Sequence, residues 1–221
     1  MPASLLALLL GIFGGNVTVQ QHLTFSAGAA PTVRIESTNG AINLKTGGTR
    51  VDVVATKSAD TQEKVDALKV SSSQNGGTVT VRAIFPQPCN SCGSIAFDVT
   101  VPAGTKVELA TTNGSIGARG LSADTKLTTT NGSIGADFAS AGSVRSVVIE
   151  STNGSVTLAL PSSAKLGRVH ADAMVGHISS DWNLNVNRTN VVGANVDQTL
   201  LPGGLFLNIS TTTGSISIRK S

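Results

Sequence analysis

The densest group of side chains that could do chemistry lies in the stretch RVHADAMVGH, residues 168–177. Arg168, His170 and Asp172 alternate with small apolar residues, so a strand would place the three polar side chains on one face. A polysaccharide lyase or hydrolase would need such a group beside paired carboxylates or acid-bound calcium. Only Glu150 is expected nearby, on the preceding strand of a stack. We interpret the group as a solvated face with a local charge pair, with carbohydrate cleavage as the alternative.

The two cysteines, Cys89 and Cys92, form a C-x-x-C pair that fits half a zinc site, a redox pair or a small disulfide. A zinc site needs two more ligands, and His22, His170 and His177 lack metal-ligand spacing to the pair. The preceding FPQP is a loop, whereas a thioredoxin-type site begins a helix after a strand. A local disulfide is therefore predicted if the chain is exported. The sequence predicts no cofactor and no metal site.

Composition argues against several other functions. Charged residues make up 13% of the chain and the net charge is +3, with lysines and arginines scattered almost singly. Aromatic residues make up 3%, too few for base-stacking platforms, so no nucleic-acid binding is predicted. The sequence also contains no nucleophile elbow, no H-E-x-x-H motif and no phosphate-binding loop. These observations predict a protein that is not an enzyme.

A six-residue phrase, TTNGSI, recurs along the chain. It occurs at 111–116 and 129–134, with close copies at 37–42, 151–156 and 211–216 and degenerate copies at 91–95 and 174–178. Successive glycines 114, 132, 154 and 176 are 18, 22 and 22 residues apart, and the next, 214, follows after 38. A period near twenty predicts a stacked array in which each unit covers its neighbour.

Each phrase joins strand-like alternation to an Asn-Gly turn. Asn-Gly is also a strong hairpin signal, so a meander of hairpins is the alternative. The segment after each turn is short, which favours a single-stranded parallel β-solenoid of the right-handed β-helix type, with about eight to nine short coils. The phrase residues are then predicted to form one corner of the coil: Asn39, Gly40, Asn113, Gly114, Asn131, Gly132, Asn153, Gly154, Gly176 and Gly214.

Two segments depart from this pattern. Residues 1–15 contain the apolar run SLLALLLGIF, which is too short to span a bilayer and fits a truncated signal peptide. A terminal strand or helix that caps the array is the alternative. Residues 16–221 are assigned to one domain. A short helix is predicted near residues 59–68, where Ser58 or Thr61 could cap it.

The chain resembles the bacterial putative-adhesin family of β-strand-repeat domains of unknown function. The resemblance rests on VPAG at 101–104, on the repeated TTNGSI and on the closing STTTGSISIRK, and it runs from about residue 20 to the C-terminus. It implies a right-handed β-solenoid that is exported or attached to the cell envelope, without established catalytic residues. Fold alone does not give function.

Three functional hypotheses follow from the sequence. The first is a non-enzymatic extracytoplasmic scaffold or surface-binding module, whose partner is a cell-surface glycan or a protein. The second is a carbohydrate-active enzyme on the same fold. The third is a structural protein that self-associates end to end. No spanning membrane segment is predicted.

Overall fold

The computed structural model describes residues 4–13, 15–28, 31–89, 91–189 and 192–221, with the backbone alone for 4–13 and 189. Short stretches of alternating apolar and polar residues dominate the chain, and this alternation gives strands with one buried face. In Lys106–Asn113, for example, Val107 and Leu109 are buried while Lys106 is exposed.

The described residues form twenty strands and one helix. The first part of the chain contains β1 (Ser4–Phe13), β2 (Asn16–Ser26), β3 (Thr32–Glu36), β4 (Ile42–Thr46), β5 (Arg50–Ala59), α1 (Gln62–Ala67), β6 (Lys69–Asn75), β7 (Thr78–Ile84) and β8 (Ser94–Val101). The repeats follow as β9 (Lys106–Asn113), β10 (Ile116–Leu121), β11 (Thr125–Asn131), β12 (Ile134–Phe138), β13 (Ser146–Asn153) and β14 (Val156–Leu160). The chain ends with β15 (Leu166–Val175), β16 (Ile178–Ser180), β17 (Asn187–Thr189), β18 (Gly193–Thr199), β19 (Leu205–Thr213) and β20 (Ile216–Lys220).

These strands form two ten-stranded sheets. The first sheet has the order β1-β2-β5-β8-β4-β10-β12-β14-β20-β16, and the second has the order β17-β18-β15-β19-β13-β11-β9-β3-β7-β6. Each sheet contains a block of parallel pairs, from β8 to β16 in the first and from β15 to β7 in the second. Antiparallel strands flank this block on both sides in the second sheet and on one side in the first, where β16 is the edge strand.

The core lies between the two sheets. At each close copy of the phrase the chain leaves the second sheet and enters the first, and the residue after the phrase serine or alanine turns inward. These inward residues are aligned on neighbouring strands of the first sheet, and all are buried: Phe97, Ile42, Ile116, Ile134, Val156, Ile216 and Ile178. At the degenerate copy 91–95 the register is shifted, because Phe97 and not Ile95 is the residue opposite Ile42.

The predicted fold class is wrong: the chain is not a single-stranded parallel β-solenoid of eight to nine coils. The two sheets are mixed, and six of the pairs among the described strands are antiparallel. The hairpin alternative is wrong at the phrase itself, because β11 and β12 on either side of Asn131-Gly132 lie in different sheets. The phrase marks a passage between sheets, and it does not determine how the flanking strands pair.

The order of the strands also differs from the order of the sequence. The last copy of the phrase returns into the stack, so that β19 lies between β13 and β15 and β20 lies between β14 and β16. The 38-residue step from Gly176 to Gly214 therefore contains no missing copy. Residues 181–189 and 192–204 instead supply the antiparallel strands β17 and β18.

The helix lies within the segment where the sequence predicts one. Thr61 is its N-cap and accepts a hydrogen bond from the backbone N–H of Lys64, while Val65 packs into a small cluster with Val19 and Ala59. At the other departure from the pattern, β1 pairs antiparallel with β2 at the edge of the first sheet. The assignment of residues 1–15 to a signal peptide, and the division into segment and domain at residue 15, stay predictions.

Candidate functional site

The predicted polar group of Arg168, His170 and Asp172 lies on the outer face of β15. Its main partner is Asp197 on the antiparallel neighbour β18. The Arg168 guanidinium donates to both carboxylate oxygens of Asp197, at 3.2 and 3.1 Å, and His170 Nδ1 lies 3.8 Å from the same carboxylate. The hydrogen bonds from Arg168 lower the pKa of the Asp197 carboxyl.

Glu150 does not join this group. Both Glu150 and Asp172 are aligned with Ser210, because β19 lies between β13 and β15. Their backbones are thus two strand spacings apart, about 9.6 Å. Sequence analysis missed Asp197, since no feature of the repeat indicates that β18 folds back against β15. The geometry is that of an exposed bidentate ion pair, with Arg168 and Asp197 both more than half exposed.

Cys89 and Cys92 are joined by a disulfide in the loop between β7 and β8. Cys92 is buried, and the following Gly93 lies against β5, where a Cβ atom would overlap the carbonyl oxygen of Ser58. The disulfide therefore closes a small loop next to the point where β8 begins.

The repeated phrase forms what we call the turn edge, the side of the molecule where the chain passes between sheets. Its first hydroxyl points inward and donates to a carbonyl oxygen of the adjacent copy. The bonds are Ser37 to Ile95, Thr111 to Gly40, Thr129 to Gly114, Ser151 to Gly132 and Thr211 to Gly154, with lengths of 2.8–3.2 Å. All but Ser37 are buried, and a buried hydroxyl without a hydrogen-bond partner would destabilise the fold. These bonds supply that partner.

The asparagines of the turn edge form a second ladder. The side-chain amide of Asn113 donates to Asn39, that of Asn131 to Asn113 and that of Asn153 to Asn131, at 2.7, 2.8 and 2.9 Å. The next strand in the sheet is β19, which carries Thr213 in register with Asn153. The asparagine ladder therefore ends where the last copy returns into the stack.

The glycines of the turn edge stack directly on one another. A Cβ atom at Gly132 would overlap the carbonyl of Gly114, and one at Gly154 would overlap the carbonyl of Gly132. The stacking order is Gly40, Gly114, Gly132, Gly154, Gly214 and Gly176. The corner residues proposed from the sequence thus lie together. Their order in the stack differs from their order along the chain, because Gly214 lies between Gly154 and Gly176.

Beside these ladders the turn edge exposes rows of small hydroxyl side chains. On five neighbouring strands or turns the second residue of the phrase is an exposed threonine: Thr38, Thr112, Thr130, Thr152 and Thr212. The residue after the glycine adds Ser115, Ser133 and Ser155. The surface is regular and uncharged.

The described residues lack two other classes of site. No group of three or more His, Cys, Asp or Glu side chains in that part of the chain is placed to hold a metal ion. Within the same residues, no helix has both the length and the apolar character needed to cross a membrane.

The fold is shared with a solved structure of a putative cell adhesion protein from Clostridium sporogenes. The TM-score is 0.60 at 14% sequence identity, and the match covers 91% of this chain and 99% of that one. A putative adhesin from Bacteroides fragilis matches at a TM-score of 0.36 and 10% identity, over 94% of this chain and 100% of that one. That score is too low to support a fold comparison.

A protein described as a putative lipid binding protein, from Parabacteroides distasonis, matches at a TM-score of 0.29 and 9% identity, over 94% of this chain and 97% of that one. This score also carries no weight. No protein-family model and no curated protein matches the chain. The comparisons therefore establish a fold shared with the clostridial protein, and family membership stays a prediction.

Proposed function

We propose that the protein is a non-enzymatic surface-binding module, a rigid adhesin-like scaffold that acts outside the bacterial cytoplasm. The observation that carries this proposal is the fold shared with the clostridial protein described as a putative cell adhesion protein, over nearly the whole of both chains. Fold alone does not give function, so the surface chemistry has to agree with it.

Three features of this chain agree with the proposal. Arg168, one of the residues that resembled a catalytic group, is engaged in an exposed ion pair with Asp197 on the neighbouring strand, which suits a structural role. The disulfide between Cys89 and Cys92 suits an oxidising compartment such as the periplasm or the cell surface. The two long sheets offer broad, preformed outer faces on which a partner could be held without rearrangement.

The test combines binding with turnover. The full-length protein is incubated with immobilised neutral and acidic polysaccharides and with surface proteins, and the same mixtures are assayed for new reducing ends and unsaturated sugar products. We expect retention on at least one surface without product. Product formation that is lost in His170→Ala would instead establish the carbohydrate-active alternative. Absence of retention on every surface would contradict the binding function.

Self-association is a second candidate because one end of the stack exposes apolar side chains. Met174 is 63% exposed and Val175 is 48% exposed, and Val192, 57% exposed, lies beside them because its carbonyl accepts from Gly176. Such a patch at the end of a stack suits contact with a second copy. Light scattering across a concentration series tests this candidate, which predicts a dimer that Met174→Ser weakens. A monomer at every concentration would exclude it.

A further inference from the structure

A shallow groove crosses the outer face of the first sheet. Two rows of side chains on β5, β8, β4 and β10 form it. The first row is Asp52, Thr100, Lys45 and Arg119, and the second is Val54, Asp98, Asn43 and Gly117. The depression has a volume of about 500 Å³. Four strands span about 14 Å, so the groove is longer than one sugar ring.

At one end of the groove two positive charges lie side by side, which is unfavourable for the stability of the fold. Lys45 and Arg119 are directly opposite each other on neighbouring parallel strands, and both are exposed on the same face. Like charges in this position repel. Among the described residues neither side chain has an ion-pair partner within 4.0 Å, although six other lysines and arginines do. The two adjacent cations can therefore donate together to one anion.

An irregularity in β10 fixes the position of Arg119. The register between β10 and β12 shifts between Ala118 and Leu121, so Arg119 and Gly120 form a bulge. Gly120 has a φ of +74°, its carbonyl accepts from the Thr46 hydroxyl at 2.8 Å and its N–H donates to Asp137 at 3.4 Å. Bulges are common beside binding sites, where they redirect a side chain. Here the arginine of the groove is itself part of the bulge.

The other end of the groove carries hydroxyl acceptors. One oxygen of Asp98 accepts from the Asn43 amide at 3.1 Å, while Asp52 accepts from the Thr24 hydroxyl at 2.8 Å and forms an exposed ion pair with Arg50 at 3.3 Å. Carboxylates held in this way retain lone pairs for further donors. Between them Val54 is a half-buried apolar floor. Beyond the cations, Gly117 and Gly135 are aligned without side chains, which keeps that end of the groove open.

We propose that this groove binds an acidic oligosaccharide. Lys45 and Arg119 hold the sugar carboxylate, with the Arg119 fork suited to two parallel hydrogen bonds. Asp52 and Asp98 accept hydrogen bonds from hydroxyls of a neighbouring neutral sugar, and Val54 contacts its ring. The two aspartates disfavour a densely charged polyanion, so the ligand alternates charged and neutral sugars. This inference rests on the proposed binding function, for which it names the ligand class and the site.

Calorimetric titration of the full-length protein tests the proposal. The probe is a tetrasaccharide that alternates glucuronate with a neutral sugar, and the matched probe has its carboxylates reduced to alcohols. We expect Arg119→Gln and Lys45→Gln each to weaken binding about tenfold or more, as for loss of a charge-assisted hydrogen bond. The reduced probe should bind at least as weakly. Asp98→Asn should weaken both probes.

The matched control is Lys126→Gln, which removes one exposed positive charge from the outer face of the second sheet. It should bind the tetrasaccharide like the wild type. Equal affinity of Arg119→Gln and wild type, equal affinity for the two probes, or no measurable binding by the wild type would overturn the groove assignment. These outcomes leave the surface-retention assay unaffected, so the broader binding function is judged separately. Thermal melting of each variant confirms that it is folded.

Discussion

The turn edge and the groove are both polar surfaces, but they use their polar side chains differently. At the turn edge the inward hydroxyls donate to carbonyls of the adjacent copy, and the asparagines bond to one another. In the groove, Lys45 and Arg119 are opposite each other and have no ionic partner among the described residues. The polar groups of the turn edge are hydrogen-bonded to one another, whereas the cations of the groove are free to bind a ligand.

This difference separates repeated residues from residues that occur once. Thr, Asn and Gly recur in the phrase because each copy must bond to the next at one strand spacing. The contacts between copies are therefore a sufficient structural reason for the residues that recur. Lys45 and Arg119 each lie five residues after a phrase glycine, but other copies carry Asp137 and Ala159 at this position, so the repeat does not require a cation there. That makes the groove residues the better candidates for a ligand.

The largest expected effect concerns the glycine stack. Gly132→Ala should lower the free energy of unfolding by roughly 4 kcal/mol or prevent folding, because the new Cβ meets a backbone carbonyl that no side-chain rotation can move away. Gly135→Ala is the matched control, since a Cβ there has no atom within 4 Å. Denaturant unfolding measures both variants. Similar midpoints would show that the copies are not in close contact.

The next effect concerns the apolar column behind the turn edge. Ile134→Ala should lower the free energy of unfolding by about 2–4 kcal/mol, because Ile134 is 1% exposed and the substitution leaves a cavity. Val148→Ala, at a half-buried position on the outer face of β13, should cost clearly less. A wild-type midpoint for Ile134→Ala would place this residue outside the core.

A smaller effect isolates the buried hydroxyl. Thr129→Val keeps the shape of the side chain but removes the 2.8 Å bond to the carbonyl of Gly114, so it should cost about 1–2 kcal/mol. Thr130→Val changes the neighbouring exposed threonine and should cost little. If the two variants are equally stable, the hydroxyl ladder does not hold the copies together.

The smallest effect concerns the exposed pair of Arg168 and Asp197. Arg168→Gln should raise the pKa of Asp197 toward the ordinary value for aspartate, because its main hydrogen-bond donor is lost. The folded pKa of Asp197 is lowered, so the pair stabilises the fold above the ordinary aspartate pKa of about 4, and this contribution disappears as the pH falls through the lowered value. Carboxyl NMR titration measures the change. An unaltered Asp197 pKa would mean that the pair is not formed in solution.

The sequence could predict what is local and repeated. Asn131-Gly132 marks a turn and Ile134 an inward position because turn chemistry and alternation act over a few residues. The sequence could not predict that β19 inserts between β13 and β15, since TTTGS at 211–215 aligns equally well with a copy on either side. It also could not predict the antiparallel flanks, which arise where the phrase is absent.

The same limit explains why the groove was missed. Lys45, Asp52, Asp98 and Arg119 come from four strands whose neighbour order is β5, β8, β4 and β10. Two of these pairs are parallel and one is antiparallel. Their proximity follows only from that order. By contrast, the group at Arg168, His170 and Asp172 was visible because it lies on one strand.

Chemical-shift mapping tests the contrast between the two surfaces most directly. The alternating glucuronate tetrasaccharide is titrated into isotope-labelled full-length protein, and backbone amide shifts are followed. We expect saturable shifts at Lys45, Asp98 and Arg119, with the amides of Thr112 and Thr130 on the turn edge unchanged. Shifts confined to the turn edge, with the groove unchanged, would contradict the account.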